Sequence, residues 1–296
     1  MILLKFQFIA PYLPGDVSAE KVNKWFSDTI DRLEKIGWSE DAKKAGVGLL
    51  SAYYIFPTET SERLFFADHL VSYRELTPRE LSMFPKQQFK SGAFATTYFA
   101  ECRKYLPYLV EKFKENGGKM ILKRINSLEE LAGIYHVVFN CPGLSARTLV
   151  KDDQVFPIRG QLLRVRAPWL KHSIIAGDSY MLPNTDVVIV GGTRTVNDWN
   201  ANADPNDTKT IYENACKVFP GLKGAEIVNV WAGLRPGRTR PRIEKESFVF
   251  GNNKLEVIHN YGHGGSGVTL SWGCANEAVD LLTQTLTEGK LFKSNI

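Results

Sequence analysis

Cysteine is scarce in this chain: four in 296 residues, Cys102, Cys141, Cys216 and Cys274, with no C-x-x-C pair among them. Thiols this far apart exclude a disulfide-built scaffold and a zinc ribbon, and they fit a reduced intracellular protein. The five histidines lack ligand spacing, except that His259 and His263 share one loop. With no acidic or thiol partner beside that pair, the sequence offers no metal centre. No run approaches the roughly 20 apolar residues of a membrane span. The short apolar start Met1–Phe8 carries no signal-peptide cleavage pattern, so the expectation is a chain that is neither exported nor membrane-inserted. Charge of one sign is not concentrated either. The densest basic stretch, Arg235 to Arg242, is broken by Pro236, Gly237 and Pro241 and has no interleaved aromatics, which argues against a nucleic-acid partner. Internal repeats and low-complexity tracts are absent.

With 44% apolar residues and a formal charge of +5, the chain can bury a full core as one large or two intertwined domains. Val22, Trp25, Phe26, Ile30, Leu33 and Ile36 recur at helical spacing, with Ser18 as a cap and Gly37 as a stop. Thr77-Pro78-Arg79-Glu80 has the form of a capping box opening a short helix to Phe84. Another helix is expected over 102–116, ending at Gly117-Gly118. Short apolar strands follow over Lys119–Ile125 and Tyr135–Asn140, as in an α/β nucleotide-binding sheet. From Gly160 onward, alternating runs such as Gln161–Arg166 and Val187–Val190, joined by Pro and Gly turns, read as a mostly antiparallel second sheet. Asp207 is expected to cap a helix through Phe219, and Ile227–Ala232 to return as a strand.

The densest glycine signal lies near the end. Val257–Ile258 opens an apolar strand, Gly262, Gly264 and Gly267 spell G-x-G-x-x-G, and the pattern from Val268 through Leu286 reads as a closing helix. Residues without side chains let backbone amides and a helix N-terminus approach an anion or a polar ring. A dinucleotide fingerprint would need a further strand and an acidic residue about 20 residues on, for which too little chain follows. Gly46-Val47-Gly48-Leu49-Leu50-Ser51 nearly matches the same expression. A charged segment precedes it and an aromatic, β-branched one follows, so it reads as the start of a buried strand.

The segment His259-Asn260-Tyr261-Gly262-His263-Gly264-Gly265-Ser266-Gly267, then five residues, then Gly273-Cys274-Ala275, resembles the C-terminal signature of the D-amino-acid oxidases. Phe139–Leu144, Pro157–Leu163, Gly191–Arg194 and Gly233–Arg238 match that family in its own order, and the resemblance runs from about Phe8 to the end. It implies an α/β, or mixed α+β, fold over 8–288. A Rossmann-like FAD-binding domain would interleave with a mostly antiparallel substrate-binding sheet domain, the latter within about 49–90 and 150–230, and a flavin-contact strand-turn-helix would occupy 255–288. Family members open with a βαβ unit for the ADP half of FAD, and Met1–Gln7 stands where its following loop should end. The expectation is therefore a Rossmann-like domain truncated at its N-terminus.

The same resemblance implies site roles. Arg235 would bind the substrate α-carboxylate, the Tyr180 hydroxyl would bond the same group, and the Gly265 carbonyl would accept from the substrate amine. Gly264, Gly267, Val268 and Thr269 would face the flavin, with the helix N-terminus at Val268. No side chain is required as a nucleophile, because positioning carries the hydride transfer. Arg194 implies a second substrate carboxylate, as in D-aspartate oxidases, with an exposed strand-end arginine as the bland alternative. Gly265 departs from that subgroup, which can place a serine there; here the serine is Ser266. The expected reaction is oxidation of D-aspartate or D-glutamate by FAD and oxygen to a 2-oxo acid, ammonia and hydrogen peroxide. The rival expectations are a catalytically silent form that cannot hold FAD and either misfolds, binds acidic amino acids or pairs with a full-length subunit, and an oxidase of neutral D-amino acids. The alternative partner to a full-length subunit is a second copy, in a homo-oligomer. The tail Ser294-Asn295-Ile296 looks like a variant peroxisomal address or an uninformative end.

Overall fold

The computed structural model describes residues 7–8, 10–11, 14–60, 62–85 and 88–287. The tail 294–296 lies outside them. The chain divides into two compact units, each built from separated stretches of sequence. One contains Ile30–Gly117 and Ile158–Leu234; the other contains Gly118–Pro157 with the described parts of Pro11–Thr29 and Arg235–Ile296.

The first unit is a mixed sheet with helices. Its strands run in the order Gln7–Phe8, Ser91–Ala100, Val47–Phe56, Ser173–Ala176, Ser179–Pro183, Val188–Gly191 and Phe156–Arg166. All neighbours are antiparallel except Val47–Phe56 with Ser173–Ala176, in line with the alternating sequence pattern. Val47 does start a strand, and Gly46 before it adopts φ 65° to close the short helix Ala42–Ala45. Leu163, Val165, Met181, Val188, Val190, Ile211, Ala215 and Leu222 form the larger core cluster between sheet and helix Pro205–Val218. The Thr77 box forms as expected, its hydroxyl accepting from the Glu80 amide, but the helix it opens is only Pro78–Leu81 before turns carry the chain to Phe84. Helix Cys102–Glu115 also matches expectation.

Two expectations are corrected. Asp207 does not cap its helix: Asp204 does, its carboxylate accepting from the Asn206 amide with Pro205 in the first turn, and Asp207 instead pairs with Arg159. In the second unit, 119–125 forms no strand, and Met120, Ile121 and Leu122 are exposed. An apolar run makes a strand only where another strand accepts its hydrogen bonds, and none pairs with it among the described residues.

The second unit is built on Asn253–His263, antiparallel to Glu226–Phe250 and parallel to Val137–Asn140. Its interior strand residues Leu255, Val257 and Ile258 are fully buried. After the glycine turn comes the helix Ser271–Thr287, which starts three residues later than Val268 because Gly264–Ser266 is a 3-10 turn and 267–270 a further turn. The first half of helix Ala19–Gly37 packs against it at van der Waals limits. A Cβ on Gly273 would lie 2.3 Å from the Trp25 backbone. The Thr29 hydroxyl accepts from the Trp272 and Gly273 amides at 3.2 and 3.3 Å, filling a capping role from a neighbouring helix. Trp25 Nε1 and Lys21 Nζ both donate to Glu277. Gly273→Ala should therefore cost roughly 1–3 kcal/mol or more through overpacking against backbone that cannot yield, read as a lower urea midpoint at unchanged slope.

Candidate active site

The first unit carries Tyr180 and Arg194. Tyr180 sits on Ser179–Pro183 opposite Gly191, with its ring against the Gly191-Gly192 backbone; a Cβ on Gly191 would lie 2.0 Å from Tyr180 Cζ. The glycine pair thus makes room for the tyrosine, a reason for the Gly-Gly that the sequence alone did not supply. Arg194 follows on an exposed loop. That loop is anchored by Gln161: its amide donates to Thr193 Oγ1 at 2.9 Å and its carbonyl accepts from the Thr193 amide. Gln161 Nε2 donates to the Asp204 carbonyl and to Thr208 Oγ1, both at 2.8 Å. Arg159, 3% exposed, donates to Asp207 at 2.6 Å and to the carbonyls of Asn200 and Asn202. A buried guanidinium needs such full satisfaction, and here it pins the segment that follows Arg194.

The second unit carries Arg235 and the glycine turn. Arg235 lies half-buried within Glu226–Phe250. Gly237 pairs with His263, and the next pair is Arg242 with Tyr261, so Arg238–Pro241 bulge opposite Gly262 alone. Gly262 has φ 88°, and a Cβ there would lie 2.7 Å from Arg238 Cβ, so this position admits only glycine. Gly264 follows at φ 57°, and Thr269 and Leu270 are fully buried beneath the turn.

A polar chain runs under these strands that sequence reasoning missed. Asn140 Nδ2 donates to His259 Nδ1 at 3.1 Å, which leaves the His259 proton on Nε2, donated to Glu246 at 3.1 Å. Arg242 donates to Glu246 at 2.8 Å and to Tyr261 Oη at 2.9 Å, and Tyr261 donates to Asp152 Oδ2 at 2.8 Å. Arg238 Nε also donates to Asp152 Oδ2, at 2.9 Å. Burial pushes the Asp152 carboxyl up, but the Tyr261 hydroxyl and Arg238 outweigh it and hold it below the ordinary range. Burial pushes Tyr261 up to about 12 and, with the Arg242 charge, His259 down despite Glu246. Both rings are therefore neutral at pH 7. In the sequence, Lys151-Asp152-Asp153 reads as a polar loop; only its burial marks Asp152.

His263, at the start of the glycine turn, differs from every group in that chain. Its Nε2 is buried with no hydrogen-bond partner among the described residues, and desolvation pushes the imidazole down to about 4. An orphaned buried nitrogen marks a place where a polar group is expected. Next to it, Gly264 is buried and Gly265 and Gly267 are partly exposed, and a Cβ at Gly267 would meet only His263 Cβ, at 3.7 Å. The turn fits the polar ring of a flavin.

The family model described as FAD dependent oxidoreductase matches residues 9–281. D-aspartate oxidase of Homo sapiens is 38% identical over 279 residues, 93% of this chain and 81% of that protein. D-amino acid oxidase of Dugesia ryukyuensis is 38% identical over 303 residues, 96% of this chain and 90% of that protein. Among solved structures, glycine oxidase from Geobacillus kaustophilus superposes with a TM-score of 0.67 at 15% identity, covering 94% of this chain and 82% of that one. At that identity the likeness speaks for the fold alone. The chain belongs to the D-amino-acid oxidase family of FAD-dependent oxidoreductases. FAD is the cofactor of that family, and the L-alpha-glycerophosphate oxidase of Mycoplasma pneumoniae, a structural neighbour at TM-score 0.64, was solved with FAD bound. No helix among the described residues is long and apolar enough to cross a membrane.

His263 gives a pH signature. Its depressed folded pKa means that the unfolded chain takes up a proton below pH 6.5 while the FAD-free folded chain does not until about pH 4. Stability should be fully present above pH 6.5 and fall by roughly 3 kcal/mol across that window. His263→Gln should flatten this part of the denaturation-against-pH curve, and an unaltered slope would contradict the assignment.

Proposed function

We propose that this chain oxidises acidic D-amino acids, D-aspartate or D-glutamate, to the 2-oxo acid, ammonia and hydrogen peroxide, with oxygen as the final acceptor. The observation that carries the reading is Arg194. It is a second arginine, besides Arg235, among the residues that the family resemblance assigns to the substrate, and it stands on a loop whose base is fixed by Thr193 and Gln161. Hydrogen-bonded guanidinium is the group best suited to a carboxylate, and two such groups select a dicarboxylic substrate over a neutral one. The similarity to D-aspartate oxidases supports the same choice.

In this reading FAD, when bound, accepts the hydride from the substrate Cα. Gly264, Gly267, Val268 and Thr269 hold its ring, and the donors of the turn favour negative charge there. Arg235 takes the α-carboxylate, with the Tyr180 hydroxyl assigned to the same group. The Gly265 carbonyl accepts from the amine, which orients it, and Arg194 takes the side-chain carboxylate. A peroxisomal setting would suit the peroxide product. A second reading, oxidation of neutral D-amino acids, is favoured by Gly265 standing where the acidic-substrate subgroup can place serine; Ser266 beside it is buried.

Arg194→Leu separates the two. Truncating one partner of a charge pair costs about 2–5 kcal/mol, so kcat/KM for D-aspartate should fall at least about 30-fold while that for D-alanine stays within a few-fold. Arg235→Leu should depress both. Loss of D-alanine turnover with Arg194→Leu, or retention of D-aspartate turnover, would overturn the acidic reading.

A further inference from the structure

The Gly237–His263 pair is the one nearest Arg235 and the glycine turn, and the bulge Arg238–Pro241 separates it from the regular pairing that starts at Arg242. The bulge therefore sets how firmly that pair, and with it the arginine's place beside the turn, is tied to the rest of the sheet. Packing alone does not fix it. A cleft of about 270 Å³, lined by Asp16, Lys21 and Trp25 opposite Arg238, Arg240 and Arg242, lies along one side of the bulge. On that side the bulge is held through the Asp16 amide, which donates to the Thr239 carbonyl at 2.8 Å, with Gly15 against the same carbonyl.

Across the bulge, one carboxylate oxygen ties both strands. Asp152 Oδ2 accepts from Arg238 Nε, within the bulge, and from Tyr261 Oη, on the opposing strand beside Gly262. Tyr261 in turn accepts from Arg242, where regular pairing resumes. The Asp152 loop is itself fastened: its amide donates to the Ala146 carbonyl, and Arg147 donates to the carbonyls of Asp153 and Val155, both at 3.1 Å. Hydrogen bonds from two elements onto one buried, ionised carboxylate make a strong tie.

We propose that Asp152 is a positioning residue: it locks the bulge and so fixes the distance between Arg235 and the turn Gly264–Ser266. The proposal rests on the functional reading for its kinetic consequence only. If Arg235 grips the carboxylate while the turn holds the flavin, a small slip of the bulge leaves the grip intact and misaligns the reacting Cα–H. Misplacement of about 1 Å costs on the order of 10²-fold in rate. The effect falls on kcat and spares KM, unlike the loss of a binding group.

The test uses the full FAD-loaded chain with Asp152→Asn, which removes the charge at nearly constant shape, and Tyr261→Phe, which removes one tie and keeps the ring. Hydrogen exchange is followed over 237–242 and 262–267, with 253–258 as the internal reference. The expected result is at least tenfold faster exchange in the first two segments of either variant and no change in the third. Flavin reduction per bound FAD by saturating D-aspartate should slow at least tenfold, with KM within threefold. Exchange over 237–242 no faster than in the unaltered chain overturns the lock, as does a rise in KM at constant kcat. Faster exchange in a chain that oxidises no D-amino acid leaves the lock standing and removes the oxidase reading, so the two fail separately. If Asp152→Asn does not fold, Tyr261→Phe alone decides.

Discussion

The crossing of helix Ala19–Gly37 over the start of helix Ser271–Thr287 is the constraint on which the second unit depends. Helix backbones meet this closely only where one partner has no side chain, and Gly273 provides that. The same contact lets Thr29 satisfy two first-turn amides of the second helix, donors that would otherwise need a cap from their own chain segment. With its first turn held, the helix anchors the C-terminal side of the glycine turn. The strand Asn253–His263, buried over Leu255–Ile258, anchors the other side. The turn is thus suspended between two rigid elements, with glycine at Gly264, Gly265 and Gly267.

Buried polar groups divide the remaining labour in both units. In the first, Arg159 and Gln161 satisfy the carbonyls of a loop that has little apolar surface of its own, which is how Arg194 acquires a defined base. In the second, the chain from Asn140 through His259, Glu246, Arg242 and Tyr261 to Asp152 spans three strands and a loop. Each member has a partner, so the low local dielectric strengthens the bonds rather than penalising them. His263 is the exception: its Nε2 is buried beside the glycine turn with no hydrogen-bond partner among the described residues.

What was legible in the sequence was what depends on local pattern. The helical spacing from Val22 to Ile36, the Thr77 capping box and the strand-turn-helix around Gly262–Gly267 all form. The glycine turn was legible because glycines at that spacing carry a backbone requirement, met here by the positive φ of Gly262 and Gly264. What depends on tertiary partners was not. The apolar stretch 119–125 has strand propensity but no strand beside it, and Met120, Ile121 and Leu122 are left exposed. The expected cap is Asp207; the overlooked local signal is Pro205 in the first turn behind Asp204, and Arg159, far away in sequence, claims Asp207. Nothing in the sequence singled out Asp152, because its two donors arrive from strands distant in the chain.

The central claim, an FAD-dependent oxidase of acidic D-amino acids, is tested most directly by the visible spectrum of the purified chain with added FAD, recorded before and after anaerobic D-aspartate. The account predicts a bound flavin band that D-aspartate bleaches at concentrations where D-alanine does not. A folded chain that retains no flavin, or a bound flavin that D-aspartate leaves oxidised, would contradict it.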